Sequence, residues 1–308
     1  MAVRNLSAAL QEIAERELFE TPEKLNDGLV YIRDWLQKQP HLNARTDDQF
    51  LTTFLRGCKF SLHRTQEKLD YYYTSKTILT ELYSNRDPYD PEIQELLKAG
   101  VILPLPNTLT ESTPRIILLH LTGMNPDKVS FLQFQKLQLM IYEILLQEDD
   151  RIVTAGVDIW TELKNTNHGY ATQITPTSLK KFNSVLHRGY PIRMKSVYCT
   201  NCPPIAESLF NLMKSILNEK IRNRMGVFSG SDEFYKKLPK KLHPIDFGGE
   251  NGKLSELQEF WKGKVESYRD WFLEDTQYGT KEELRVGIPK TSATLFGVEG
   301  TFRKLAVD

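Results

Sequence analysis

Cysteine is scarce, with three in 308 residues. That odd, low count argues against a disulfide framework and fits a reducing cytosol. Charge of one sign is missing too: 40 Lys and Arg stand against 40 Asp and Glu, so no global field draws the chain to nucleic acid. No apolar run approaches the ~20 residues a membrane-spanning helix needs. The opening stretch MAVRNLSAALQEIAERELFE mixes acids among its apolar residues and reads as an amphipathic helix, not a secretory leader. Enzyme signatures are absent. There is no Walker A loop and no G-x-G-x-x-G. GVFSG (226–230) carries its serine one place too late for a nucleophile elbow, and GGENG (248–252) has the wrong spacing for a dinucleotide fingerprint. The six histidines (His41, His63, His120, His168, His187, His243) show no paired spacing, so the four N/S ligands of a zinc site are not in evidence. The sequence therefore predicts no catalytic residue, no metal and no cofactor.

What is present is an ordinary globular balance, 40% hydrophobic and 26% charged, with length enough for two domains. Residues 1 to 87 read as helices. Thr21-Pro22 looks like a cap followed by proline at the first helical position. Thr46 with Gln49 fits a capping box, and Ser61 fits the cap of a helix that runs through Leu69, Tyr72, Tyr73 and Ile78. The two prolines of NRDPYDP (85–91) suggest a linker. The rhythm then changes. RIILLHL (115–121), IVTAGVDIW (152–160) and MKSVYCT (194–200) read as strands. Between them lie helices at 131–147 and from Thr175-Pro176 to a stop at Gly189. Strands alternating with helices predict an α/β fold with a largely parallel sheet. After Pro203-Pro204 comes a helix with a wide apolar stripe, then a second short helix that holds Lys220 and Arg224 and ends at Gly226.

Two features of YPIRMKSVYCTNCPP (190–204) bear on function. Cys199-x-x-Cys202 lies between a strand and a helix, where a thioredoxin-like pair would sit. The chain before it is not a thioredoxin-sized unit, and two small half-buried residues are the plainer reading. The second feature is charge. From Lys180 to Arg224 nine Lys/Arg face only Glu207 and Glu219. Arg193 and Lys195 share a strand face, and Lys220 and Arg224 share a helix face. A greasy helix connects the two pairs, so both can meet at one of its ends.

These stretches resemble a known family. FLRGCKFSLHRTQEKLDYYY (54–73) is similar to the N-terminal helical segment of CRAL-TRIO proteins. QITPTSLKKFNSVLHRGYPIRMKSVYCTNCPPIAESLFNLMKSILNEKIRNRM (173–225) resembles their lipid-binding domain, and HPIDFGGENG (243–252) resembles its ending. The similarity runs in order over about residues 25–252, toward the tocopherol-transfer and retinaldehyde-binding branch. Departures are Gly57-Cys58 after FLR, a longer TELKNTNHGYATQ loop and an unmatched tail. The resemblance implies an N-terminal helical subdomain (1–87), a CRAL-TRIO lipid-binding domain (88–252) with a mixed, largely parallel sheet flanked by helices, and a C-terminal extension (253–308). It implies one apolar ligand inside (a tocopherol, retinoid or other isoprenoid-like lipid) and makes the 203–217 helix a movable gate. Arg193, Lys195, Lys220 and Arg224 match the positions that bind phosphatidylinositol phosphates. The elements facing the gate offer Phe134, Gln138, Tyr142, Val157, Phe182, Val185, Leu186, Tyr190, Ile192, Met194, Leu209, Phe210 and Met213 as pocket residues. Gln138 and Tyr142 put two polar tips on one helix face. The expectation is a cytoplasmic, monomeric, non-enzymatic carrier that associates peripherally and reversibly with anionic membranes and binds no nucleic acid. A phospholipid or phosphoinositide transfer protein, a lipid-sensing scaffold and a Cys199/Cys202 oxidoreductase remain as alternatives.

Overall fold

Helix signals at the N-terminus act much as their chemistry dictates. The computed structural model describes residues 3–216, 219–229 and 231–297; the side chains at 168, 171, 205, 209, 213, 216, 220, 231 and 232 fall outside the described set. Helix α1 spans Ala8–Leu18 and α2 Pro22–Gln37, the latter capped by Thr21, whose hydroxyl accepts from the Lys24 amide. A short strand β1 (Leu42–Asn43) precedes α3 (Asp48–Gly57). Asp47, not Thr46, caps α3 by accepting from the Phe50 amide at 3.0 Å. Gln49 is instead turned inward, where its amide meets Asp150 at 2.9 Å and its carbonyl accepts from the Arg4 amide. Ser61 does precede α4 (Leu62–Ile78), but its hydroxyl makes no capping bond. After α5 (Thr80–Tyr83), the prolines of NRDPYDP do not make a loose linker. Asp90 caps and Pro91 opens α6 (Pro91–Ala99), and Arg86 is buried.

The sheet has five strands in sequential order. β2 (Ile102–Pro104) pairs antiparallel with β3 (Arg115–His120), and β4 (Val157–Glu162), β5 (Met194–Thr200) and β6 (Met225–Phe228) add on in parallel. Helix α7 (Phe131–Glu148) links β3 to β4 through the short α8 (Arg151–Thr154). The IVTAG stretch expected as strand is thus α8 plus a turn. The Thr154 hydroxyl bonds back to the Asp150 carbonyl, and Gly156 turns the chain at φ 103°. A side chain at Gly156 would be strained and would meet Lys195. Between β4 and β5 lie α9 (Pro176–Ser184), with a Thr175–Ser178 capping box, and one π-helical turn over Val185–Gly189. Helix α10 (Pro204–Ile216) and α11 (Glu219–Arg222) join β5 to β6. Gly226 lies inside β6 and does not end a helix.

Side chains alternate across the sheet. Ile159 and Thr161 of β4 look toward α7, α9 and α10, whereas Trp160 and Glu162 look the other way. On that second face Trp160 packs against Phe234 of α12 (Ser231–Lys237), His243 and Phe247. The C-terminal segment adds α13 (Leu254–Ser267), α14 (Arg269–Asp275), β7 (Gly279–Thr280) and α15 (Ser292–Phe296). β7 pairs antiparallel with β1, and Trp261 of α13 donates to the Pro104 carbonyl at 2.9 Å. One apolar core runs from Leu29 to Phe296, while Leu10 and Ile13 of α1 form a small separate cluster with Ala155.

Candidate functional site

Packing leaves a hollow between the sheet and its covering helices. Its volume is about 240 Å³. Phe131, Phe134, Gln138 and Tyr142 of α7 form one wall, Leu179 and Phe182 of α9 with Leu186 form another, and Ala206 and Phe210 of α10 close the outer side. The floor is the sheet: Leu119, Ile159, Thr161, Met194, Val197 and Cys199. Each helix presents residues at three- or four-residue spacing and each strand alternate ones, so the cavity inherits the apolar stripe of every element. Gln138 Nε2 donates to the Tyr142 hydroxyl at 2.7 Å, and burial pushes the Tyr142 phenol up from its ordinary pKa. This pair is a neutral polar spot in a mostly apolar lining that also holds Gln135, Thr161, Asn183 and His187.

Seven of the pocket residues expected from sequence therefore meet here: Phe134, Gln138, Tyr142, Phe182, Leu186, Met194 and Phe210. Leu209, Met213 and the cation Lys220 lie outside the residues whose side chains are described. Four are elsewhere, each for a local reason. Val157 is buried at the start of β4, below the cavity, where it pairs with Met194. Val185 is swallowed by the π turn and fully buried. Tyr190 points into a buried polar cluster, donating to Glu143 at 2.9 Å beside Tyr72. Ile192 lines a different opening.

That second opening is a cleft of about 810 Å³. Lys59, Arg64, Lys68, Arg188, Arg193, Lys195 and Arg224 line it, against Glu17 and Glu67. Arg193 and Lys195 arrive together from the start of β5, with a register shift opposite Val157/Asp158. Arg224 comes from the turn after α11 and donates to the Met194 carbonyl. Gly57 packs so tightly on Pro191 that a Cβ would stand 2.2 Å from its carbonyl oxygen. This close approach brings the FLRGCK segment to the cleft and gives the departure at Gly57 a steric reason. Lys68 Nζ donates to the carbonyls of His187 (2.7 Å) and Tyr190 (3.0 Å), and burial holds its pKa below the usual lysine value. Lys195 is also lowered, by burial first and then by Arg193. Cations made reluctant to stay charged gain from an anion that restores the charge balance.

Lys59, Arg64, Lys68 and Arg188 were not foreseen as cleft residues. The signal existed for three of them, since Arg56, Lys59, Arg64 and Lys68 crowd a short stretch. Arg56 shows why such a count misleads: it is buried, paired with Glu20 (2.8 and 2.9 Å) and Asp150 (3.1 Å). The cavity and cleft share Met194, His187 and Ile221 as wall. Cys199 lines the cavity and Cys202 sits half-buried before α10; burial raises both thiols, which disfavours the thiolate that redox chemistry uses. Among the described residues no cluster of metal-ligating side chains occurs, and no helix is long and apolar enough to cross a membrane.

Comparison with known proteins fits this geometry. Residues 21–93 match the family model described as Pinta-like, UBA domain, and residues 105–249 match that of the CRAL/TRIO domain. The second span holds most of the cavity wall and the β5 and α11 side of the cleft. Alpha-tocopherol transfer protein-like from Mus musculus is 30% identical over 82% of this chain and 73% of its own length. The Homo sapiens protein of that name is 28% identical over 89% and 79%, and Clavesin-1 from Rattus norvegicus 27% over 79% and 69%. A five-stranded mixed sheet, an apolar hollow under an amphipathic helix, and relatives alike over most of both chains place this protein in the CRAL-TRIO family of lipid-binding proteins, on its alpha-tocopherol transfer protein-like branch.

Proposed function

We propose that this protein binds a small hydrophobic ligand in the α7–α9–α10 cavity and transfers it to membranes that carry phosphatidylinositol phosphates. The observation that carries the reading is the shared wall: an apolar cavity and a cleft with seven cationic side chains meet at Met194, His187 and Ile221. In this reading α10 is the gate. Its Ala206 and Phe210 cover the ligand in water. At an anionic surface each cation is worth roughly 1 kcal/mol, so a handful gives weak, reversible docking. Docking lets α10 exchange ligand contact for lipid contact, and the ligand leaves without crossing water. The cavity volume, about 240 Å³, lies just under the ~300–1,000 Å³ usual for ligand sites. The mostly apolar lining, with Gln138 and Tyr142 as a neutral polar pair, suits a largely hydrocarbon molecule with one polar end, such as a tocopherol, retinoid or other isoprenoid. Relatives named for alpha-tocopherol transfer support the same class. The role is carriage, not catalysis.

The test is vesicle-to-vesicle transfer of a fluorescent tocopherol with and without a phosphatidylinositol bisphosphate in the acceptor. Wild type should be accelerated by the phosphoinositide, and Arg193→Ala with Lys195→Ala should abolish the acceleration while leaving binding of the tocopherol intact. Equal acceleration in both proteins would refute the docking role of the cleft.

A further inference from the structure

The cleft already holds an anion of its own. Glu17, near the end of α1, accepts from Arg193 Nη2 at 2.7 Å, and the same oxygen lies 3.7 Å from Lys195 Nζ. The other terminal nitrogen of Arg193 donates to the Thr154 carbonyl. The Arg193 guanidinium holds the Glu17 carboxyl below its usual pKa, so the carboxylate stays charged across the neutral range. Helix α1 brings it there on a small apolar contact, Leu10 and Ile13 against Ala155, separate from the main core. The two strand cations expected to meet a phosphate thus have a partner from the chain itself, inside the opening that a phosphate would enter.

We infer that Glu17 is a selectivity residue of the cleft, an internal competitor that admits head groups bearing phosphomonoesters and turns away singly charged ones. This rests on the reading of the cleft as an anion site. The reasoning is one of exchange. A phosphodiester such as the head group of phosphatidylserine has one net negative charge, the same as the carboxylate it would displace. Swapping one for the other leaves the charge on Arg193 and Lys195 balanced as before and gains nothing. A phosphomonoester carries about −1.5 to −2 and three strong acceptor oxygens. It outbids the carboxylate and still has acceptors for Arg224, Lys59 or Arg188. Specificity of this kind comes from a built-in penalty on the wrong partner as much as from attraction to the right one. The cleft's other carboxylate, Glu67, serves as the control. It is exposed and stands 3.5 Å from His63 on its own helix.

The experiment uses the full chain and phosphatidylcholine vesicles doped, at equal total charge, with phosphatidylserine or with a phosphatidylinositol bisphosphate. Wild type should favour the bisphosphate vesicles. Glu17→Gln, with unchanged circular dichroism, should bind the phosphatidylserine vesicles about five- to thirtyfold more tightly than wild type, as expected for one or two cations set free. The ratio between the two lipids should collapse. Glu67→Gln should keep the wild-type ratio. Inositol trisphosphate in solution should displace wild type from the bisphosphate vesicles; if it does not, selectivity belongs to the bilayer surface and the inference fails. A Glu17→Gln protein with the wild-type ratio overturns the role of Glu17 alone. If neither vesicle retains either protein, the anion site falls with it.

Discussion

His187 shows how much one side chain can report. It stands in the wall common to cavity and cleft, its Nε2 is buried, and burial together with Lys68 depresses its pKa from 6.5 to about 4. Between those values the unfolded chain binds the extra proton and the native protein does not. Stability from this group is therefore complete above pH 6.5 and is lost as pH falls toward 4. By about pH 5 the loss should reach roughly 2 kcal/mol. Urea midpoints of wild type and His187→Gln should run together near neutrality and diverge on acidification, wild type falling faster; parallel curves would contradict a buried neutral imidazole. At this scale the sequence was partly legible. Gln138 and Tyr142 could be paired from their spacing, and Arg193 with Lys195 from theirs. Glu17 could not be joined to Arg193, because no local pattern links residues so far apart in the chain. Tyr190 reads as a pocket residue because it leads into a strand expected to face the gate; its bond to buried Glu143 places it elsewhere.

Helix α10 is the element on which the proposed transfer turns. Its start at Pro204 and its apolar stripe are both written in the sequence, since proline suits a first turn and the stripe needs only helical spacing. Elements set by long-range pairing were harder to read. β6 is four residues that only exist as a strand because β5 offers them an edge, and β2 is three residues ending in proline at the sheet's far edge. The reverse error occurred at α8, where β-branched residues suggested strand but Asp150 and Thr154 close a helical turn. Phe210 is 7% exposed and faces the cavity. If α10 is the gate, trimming Phe210 removes part of its grip on a ligand without touching the sheet. With about half of a phenylalanine's burial energy at stake, Phe210→Ala should weaken retention of a bound tocopherol roughly tenfold. Dissociation measured by fluorescence should quicken while the helical signal stays constant. Unchanged dissociation would mean that α10 does not hold the ligand.

At the scale of the whole molecule, the C-terminal segment that no sequence pattern could place proves to be built into the core. Asp275, on α14, is buried and accepts from Lys76 and Arg86, with Arg45 Nε at 3.3 Å on its other oxygen. Burial alone would raise its carboxyl; Lys76 and Arg86 outweigh that and pull it below the ordinary value. Arg86 also pairs with Glu143 of α7, which takes hydroxyl bonds from Tyr72 at 2.8 Å and Tyr190 at 2.9 Å. One polar cluster therefore ties the N-terminal helices, the cavity helix α7 and the tail together, and its charges balance only when all three are present. Asp275→Ala should leave Glu143 alone to balance buried Lys76 and Arg86 and cost about 3–5 kcal/mol, the usual penalty for breaking a buried charge pair. Removing everything after residue 252 also strips Trp261, Val265 and Phe272 from the core and should yield insoluble protein. Because α7 carries both Glu143 and the Gln138–Tyr142 pair, the loss in Asp275→Ala should reach the cavity as well: tocopherol binding should fall along with the urea midpoint, whereas the basic cleft, which α7 does not line, should still bind bisphosphate vesicles at temperatures where the variant is folded. A midpoint equal to wild type would make the tail an appendage and the cluster decorative.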